Sequence, residues 1–163
     1  RVTPQTLEMY ERCRKLALES SGTDFESLSQ LEVLLTFQLR WLLPKAALET
    51  MDGAKVFAWG VEEGLVKKDT LAAIELAKVQ PEGGKAMATL RNQGKPVTDL
   101  VFDFELHDSV WKLDFRRILQ STDRAFAAVR ERAGKTKIEL AVYLIEQTYK
   151  SEVPPQILNG PLK

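Results

Sequence analysis

Apolar and polar residues alternate with a period of two through 96–117. Folded at Asp108-Ser109, this stretch sets Leu106 opposite Trp111, Phe104 opposite Leu113 and Phe102 opposite Phe115 on one face. Glu105 then faces Lys112, Asp103 faces Asp114 and Val101 faces Arg116 on the other. A slip of one residue would turn every side chain to the wrong face, so the pattern predicts a single hairpin in a single register. Upstream, 85–91 alternates with Ala86, Ala88 and Leu90 on one side, between turns at 81–84 and 92–94. Residues 71–80 read as strand or helix. A small sheet is marginal alone, which favours a fourth strand over 72–79.

Elsewhere the period is helical. Thr3-Pro4 is a helix start, Thr as cap and Pro in the first turn. Met9, Tyr10, Cys13, Leu16 and Ala17 then share one narrow arc, with Cys13 at its centre as a small buried hydrophobe. A second helix is expected from Asp24 or Ser27 to Leu43, on a stripe of Leu28, Leu31, Leu35, Leu39 and Leu42 widened almost all round. Pro44 breaks it and opens a further turn over 45–51, and 54–66 resumes as helix. After the hairpin, Ser121 or Thr122 caps a helix with Ala125, Phe126, Val129 and Ala133 facing inward, ending at Gly134. Thr136-x-x-Glu139 is a capping box that opens a last helix with Ile138, Ala141, Val142, Ile145 and Tyr149 inside. The stretch from Val153-Pro154-Pro155 to the end reads as an arm along the body or a frayed tail, without regular structure.

The expected fold is therefore α+β: N-terminal helices, a four-stranded antiparallel meander and two C-terminal helices. With 163 residues the chain has the size of one domain, divided into a helical half (1–66), a sheet (70–117), a helical pair (118–150) and a tail (151–163). Hydrophobic residues make up 44% and charged residues 28%, as in an ordinary globular protein. Lys+Arg and Asp+Glu are both 23, so no global charge draws the chain to nucleic acid or anionic membrane. One cysteine excludes an intramolecular disulfide. The most apolar run, 33–43, is interrupted and too short to span a bilayer. The start at Arg1 leaves open a trimmed terminus or a removed signal segment, and a processed, exported protein is the expectation.

Helices followed by an antiparallel meander carrying Ser109-Val110-Trp111-Lys112-Leu113-Asp114 resemble the nuclear transport factor 2-like proteins, the cystatin-like α+β cone. The resemblance covers about 28–117. It implies a curved, cone-like sheet with an apolar mouth between sheet and helices, which takes a small molecule, serves a partner or is packed shut. It also implies a bacterial protein, exported to the periplasm or membrane-anchored, with the cytoplasm left open.

Several residues are candidates for chemistry. His107, the single histidine, shares the hairpin's polar face with Asp103 and Glu105. It reads as an acid/base beside carboxylates or as a solvent-facing turn residue. Asp103 and Asp114 are direct cross-strand neighbours. They form either an acid pair with one raised pKa or a solvated charge ladder compensated by Lys112 and Arg116. Trp41, Trp59 and Trp111, with Phe104, line an apolar pocket or fill a core. The segment 116–137 holds seven basic residues (Arg116, Arg117, Arg124, Arg130, Arg132, Lys135, Lys137) against Asp123 and Glu131. Of these, Arg124, Arg130, Arg132 and Lys135 are candidates to meet an acidic partner or phospholipid headgroups. Without a series of aromatics interleaved for base stacking, no nucleic acid is expected. One His and one Cys far apart support no metal site, and Gly83-Gly84 sits in a hairpin turn rather than a phosphate loop, so no cofactor is expected.

The leading expectation is a non-catalytic binding or assembly module of the bacterial cell envelope. It would bind a small apolar ligand or a protein partner through the cone mouth or the basic C-terminal helices. The alternatives are a small cone-fold enzyme, an isomerase or hydrolyase using Asp103, Asp114 or His107, and a protein–protein adaptor. A homodimer through the open sheet face is a further expectation.

Overall fold

The computed structural model describes residues 1–63 and 74–162. Their order is α1 (Pro4–Glu19), a 3-10 turn (Gly22–Ser27), α2 (Gln30–Leu42), α3 (Lys45–Thr50), α4 (Gly53–Glu62), β1 (Ile74–Glu82), β2 (Lys85–Asn92), β3 (Lys95–His107), β4 (Val110–Asp114), α5 (Arg116–Ala133), α6 (Lys137–Tyr149) and a second 3-10 turn (Pro155–Leu158). The fold is α+β. By contact density the chain forms two compact units, Arg1–Met9 with Phe57–Ser121 and Tyr10–Val56 with Thr122–Lys163.

In the first unit, β1 to β4 follow one another as an antiparallel meander. The β3–β4 hairpin has the expected register, Leu106 opposite Trp111, Phe104 opposite Leu113, Glu105 opposite Lys112 and Asp103 opposite Asp114. Asp108 and Ser109 both have positive φ, the left-handed pair that matches a two-residue hairpin loop to strand twist. Ala86, Ala88 and Leu90 are buried along β2 while their neighbours are exposed. Residues 74–82 resolve the ambiguous stretch as strand, and the remainder of the expected strand and of the expected helix over 54–66 lies outside the described residues. Pro81, which donates no backbone hydrogen bond, falls on edge strand β1, where its missing N–H is tolerated.

Three expectations are corrected here. The ladder stops at Asp114, so Phe102–Phe115 and Val101–Arg116 do not pair as strand residues. The Asp114 carboxylate accepts the backbone N–H of Arg116 and turns the chain into α5. That helix begins well before Ser121 or Thr122, which lie inside it. The sheet also gains a fifth extended segment, since Val2 forms an isolated parallel bridge to Leu113. Leu113 donates to the Arg1 carbonyl at 3.1 Å, and Thr3 donates to the Leu113 carbonyl at 3.0 Å. Three residues are too few to show alternation, which is why the sequence pattern missed this segment.

The second unit has its core on α2 and α6. Val33, Leu34 and Phe37 of α2 and Ala141 and Ile145 of α6 cluster with Phe25, Val153 and Ile157. Both helices start on the same device. Ser29 and Thr136 each accept from the backbone N–H three residues on, while Glu32 and Glu139 reach back to the cap. Ser29 is the true cap of α2, in place of Asp24 or Ser27; the preceding residues form the 3-10 turn. The tail is an arm along the body, and it does hold regular structure, the 3-10 turn that buries Ile157. The inward stripe expected on α5 is not found: none of its described residues is buried. Phe126 packs against the core, but Ala125, Val129 and Ala133 are exposed. Among the described residues, no helix is long and apolar enough to cross a membrane.

Candidate functional site: the charged cleft of the sheet

The polar face of the sheet carries a cleft of about 580 Å³. Strand pairing builds it, because residues opposite one another share a face. Gln80 of β1, Met87 of β2, Asp103 of β3 and Asp114 of β4 make one row. Glu82, Lys85, Glu105 and Lys112 make the next. Arg116 and Arg117, in the first turn of α5, close the side beyond β4.

The charges are organised by the two arginines. Arg116 donates from Nε and Nη2 to Asp114 Oδ2, at 2.8 and 2.6 Å, and from Nη2 to Glu105 Oε1 at 2.9 Å. Arg117 donates from Nε to Asp103 Oδ2 at 2.7 Å. Lys85 Nζ stands 3.7 Å from Glu105, and His107 Nε2 lies 3.2 Å from Glu105 Oε2. The cross-strand aspartates are therefore compensated one by one, Asp114 by Arg116 and Asp103 by Arg117. Burial raises the Asp114 pKa, but the Arg116 side chain and backbone N–H outweigh it and hold the carboxyl below the usual carboxylate range. A carboxyl held low in this way is not a proton donor near neutral pH. The arrangement is a net of paired side chains suited to holding charges in place, with Asp114 unsuited to delivering a proton.

Of the candidate catalytic residues, Asp103 and Asp114 line the cleft, and His107 joins them through Glu105. The ligand candidates are divided. Phe104 lines the cleft although it pairs with Leu113 on the apolar alternation of the hairpin, whereas Trp111, paired with Leu106, does not line it and is 43% exposed. Trp59 is half-buried on α4 within the same unit. Trp41 belongs to the second unit, where it lines a groove of about 700 Å³ with Pro154, Pro155 and Leu162. Of the partner candidates, Arg124 and Arg132 are exposed on α5. Arg130 stands 3.8 Å from Glu131, and Lys135 Nζ lies 5.3 Å from the centre of the Tyr143 ring. Among the described residues, no cluster of His, Cys, Asp and Glu has the geometry of a metal site.

Sequence reasoning missed Lys85, Glu82 and Arg117 as members of the cleft. Lys85 meets Glu105 only through the β2–β3 register, and no local pattern announces that pairing. The alternation puts Arg117 at the end of the second hairpin strand, although Asp114, two residues before Arg116, is itself a readable helix-start signal. Comparison of the chain with protein-family models, with curated proteins and with solved structures gave no match.

Proposed function

We propose that the protein is a non-catalytic binding module whose ligand seat is the charged cleft on the polar face of the sheet. One observation carries this reading. The carboxylates that could have acted as acid or base are engaged by fixed cations, Asp114 and Glu105 by Arg116 and Asp103 by Arg117, in a cleft of about 580 Å³. That volume lies within the usual range for small-molecule sites. The order of elements, helices before an antiparallel meander, supports the likeness to the nuclear transport factor 2-like cone, and the curved cone belongs to this proposal. The ligand face differs from the one that likeness implies: it is the polar side, which holds the paired charges and the opening.

Native mass spectrometry of the purified protein, compared with its denatured mass, tests the reading. The expected result is a retained small molecule, or one taken up from a panel of charged metabolites, whose binding is weakened by Arg116→Gln. A clean mass with no uptake from the panel overturns it. So does uptake that Arg116→Gln leaves unchanged.

A further inference from the structure

We propose that the cleft takes a small zwitterion, with an ammonium and a carboxylate at its two ends; this rests on the binding reading above. The cleft presents both signs, Lys85, Arg116 and Arg117 against Glu82, Asp103, Glu105 and Asp114, three positive charges and four negative. A purely anionic ligand meets four carboxylates, and a purely cationic one meets three cations. A molecule bearing one of each adds no net charge and can satisfy both sets.

Two residues have capacity to spare. Glu82, exposed at the end of β1, has no ion-pair partner among the described residues. Arg117 holds Asp103 through Nε, and its two terminal nitrogens make no bond to a described residue. A guanidinium edge of that kind suits a carboxylate, because two parallel donors match its two oxygens. Glu82 suits an ammonium. The two residues stand at opposite sides of the strand order, β1 at one edge and α5 following β4 at the other. Arg117 is held over Asp103 of β3, two strands from β1, and strands lie about 4.8 Å apart, so a ligand seated between the two side chains has its charges separated by roughly 7 Å. An ω-amino acid or a short peptide has that form. The Arg116 bridge between Asp114 and Glu105 keeps its partners and forms a pre-organised floor.

Isothermal titration calorimetry of the full chain at low salt, with three probes of matched length, tests this: ε-aminohexanoate, hexanoate and hexylammonium. The zwitterion is expected to bind about tenfold tighter than either single-charge probe, the worth of one charge-assisted hydrogen bond. Glu82→Gln and Arg117→Gln are each expected to weaken it by about tenfold, again one such bond, with an unchanged circular dichroism spectrum. Both side chains reach solvent, so neither change threatens the fold. Equal affinity for hexanoate or for hexylammonium overturns the proposal. If no probe binds but the native mass retains another ligand, the zwitterion is overturned and the binding reading stands. If no probe binds and nothing is retained, both fall.

Discussion

Arg40 donates from Nη1 to the carbonyl of Ile157 at 2.8 Å, tying the middle of the second unit to the C-terminal arm. Arg40 is fully buried. Its Nε bonds Ala17 O at 3.0 Å, and Nη2 reaches Leu16 O, Ser20 O and Ser20 Oγ. These carbonyls end α1, where the helix leaves acceptors unpaired and its dipole favours a cation. The backbone carbonyl of Arg40 in turn accepts from Leu162 N at 3.0 Å. Burial pushes the guanidinium pKa down to about 10, which leaves it charged at neutral pH.

Arg40→Met should destabilise the protein by at least about 3 kcal/mol, because it strands several buried carbonyls at once. Urea denaturation followed by circular dichroism measures this. A loss below about 1 kcal/mol, the worth of one ordinary hydrogen bond, would show that water replaces the guanidinium without cost.

Ile157→Ala should cost about 2–4 kcal/mol, since the side chain is 1% exposed and sits in the core cluster. Combined with Arg40→Met, the losses should add to less than their sum, because either change alone loosens the arm. Strict additivity in a double-mutant cycle would contradict a shared anchoring role.

Acid should unfold the protein partly through Asp114 and Glu32. Burial raises both carboxyls, but the Arg116 contacts at Asp114, and the Ser29 backbone and Arg12 at Glu32, hold them below their ordinary values. The unfolded carboxyls therefore bind protons first as pH falls. The stability these groups contribute is complete above the unfolded pKa of about 4 and is lost as pH drops through the folded values. Melting temperature against pH should fall off in that window, and Asp114→Asn should flatten the fall while lowering the neutral plateau. A variant curve parallel to that of the wild type would rule Asp114 out.

Cys13 should be inert in the folded protein. It is fully buried, and burial, with the nearby Glu32 charge, pushes its thiol up to about 12. Labelling with a disulfide reagent at pH near 8 should be negligible until denaturant is added. Fast stoichiometric labelling of the native protein would mean that α1 opens readily.

Replacing Asp108-Ser109 by Asn-Gly should stabilise the hairpin by roughly 1 kcal/mol. Both residues sit at positive φ, 50° and 61°, a conformation that Asp tolerates less well than Asn and that Ser, unlike Gly, adopts at a cost. A rise of a few degrees in melting temperature is expected for a gain of about this size. No change would place the strain elsewhere.

Much of this fold is local and was legible as such. The β3–β4 register follows from alternation about one turn, and the Thr136 capping box follows from spacing alone; Ser29-x-x-Glu32 carries the same signal and marks the true start of α2. Such features depend on residues a few positions apart, whose relative placement the backbone geometry dictates. Other features depend on partners far along the chain. The arm rests on Arg40, which in sequence reads as one polar residue in a leucine-rich helix and whose acceptors come from α1 and from Ile157. The end of β4 depends on whether Asp114 continues a ladder or starts a helix, and alternation cannot distinguish the two until the carboxylate has a backbone N–H to accept. The cleft depends on β2 lying beside β3, which brings Lys85 to Glu105, and on α5 beginning early enough to carry Arg116 and Arg117 over both aspartates. Sequence by itself determined the β3–β4 register and the Thr136 capping box, because these are short-range. Tertiary structure alone decided which charges meet, because an ion pair requires side chains within a few ångströms of each other, and only the folded chain brings them there.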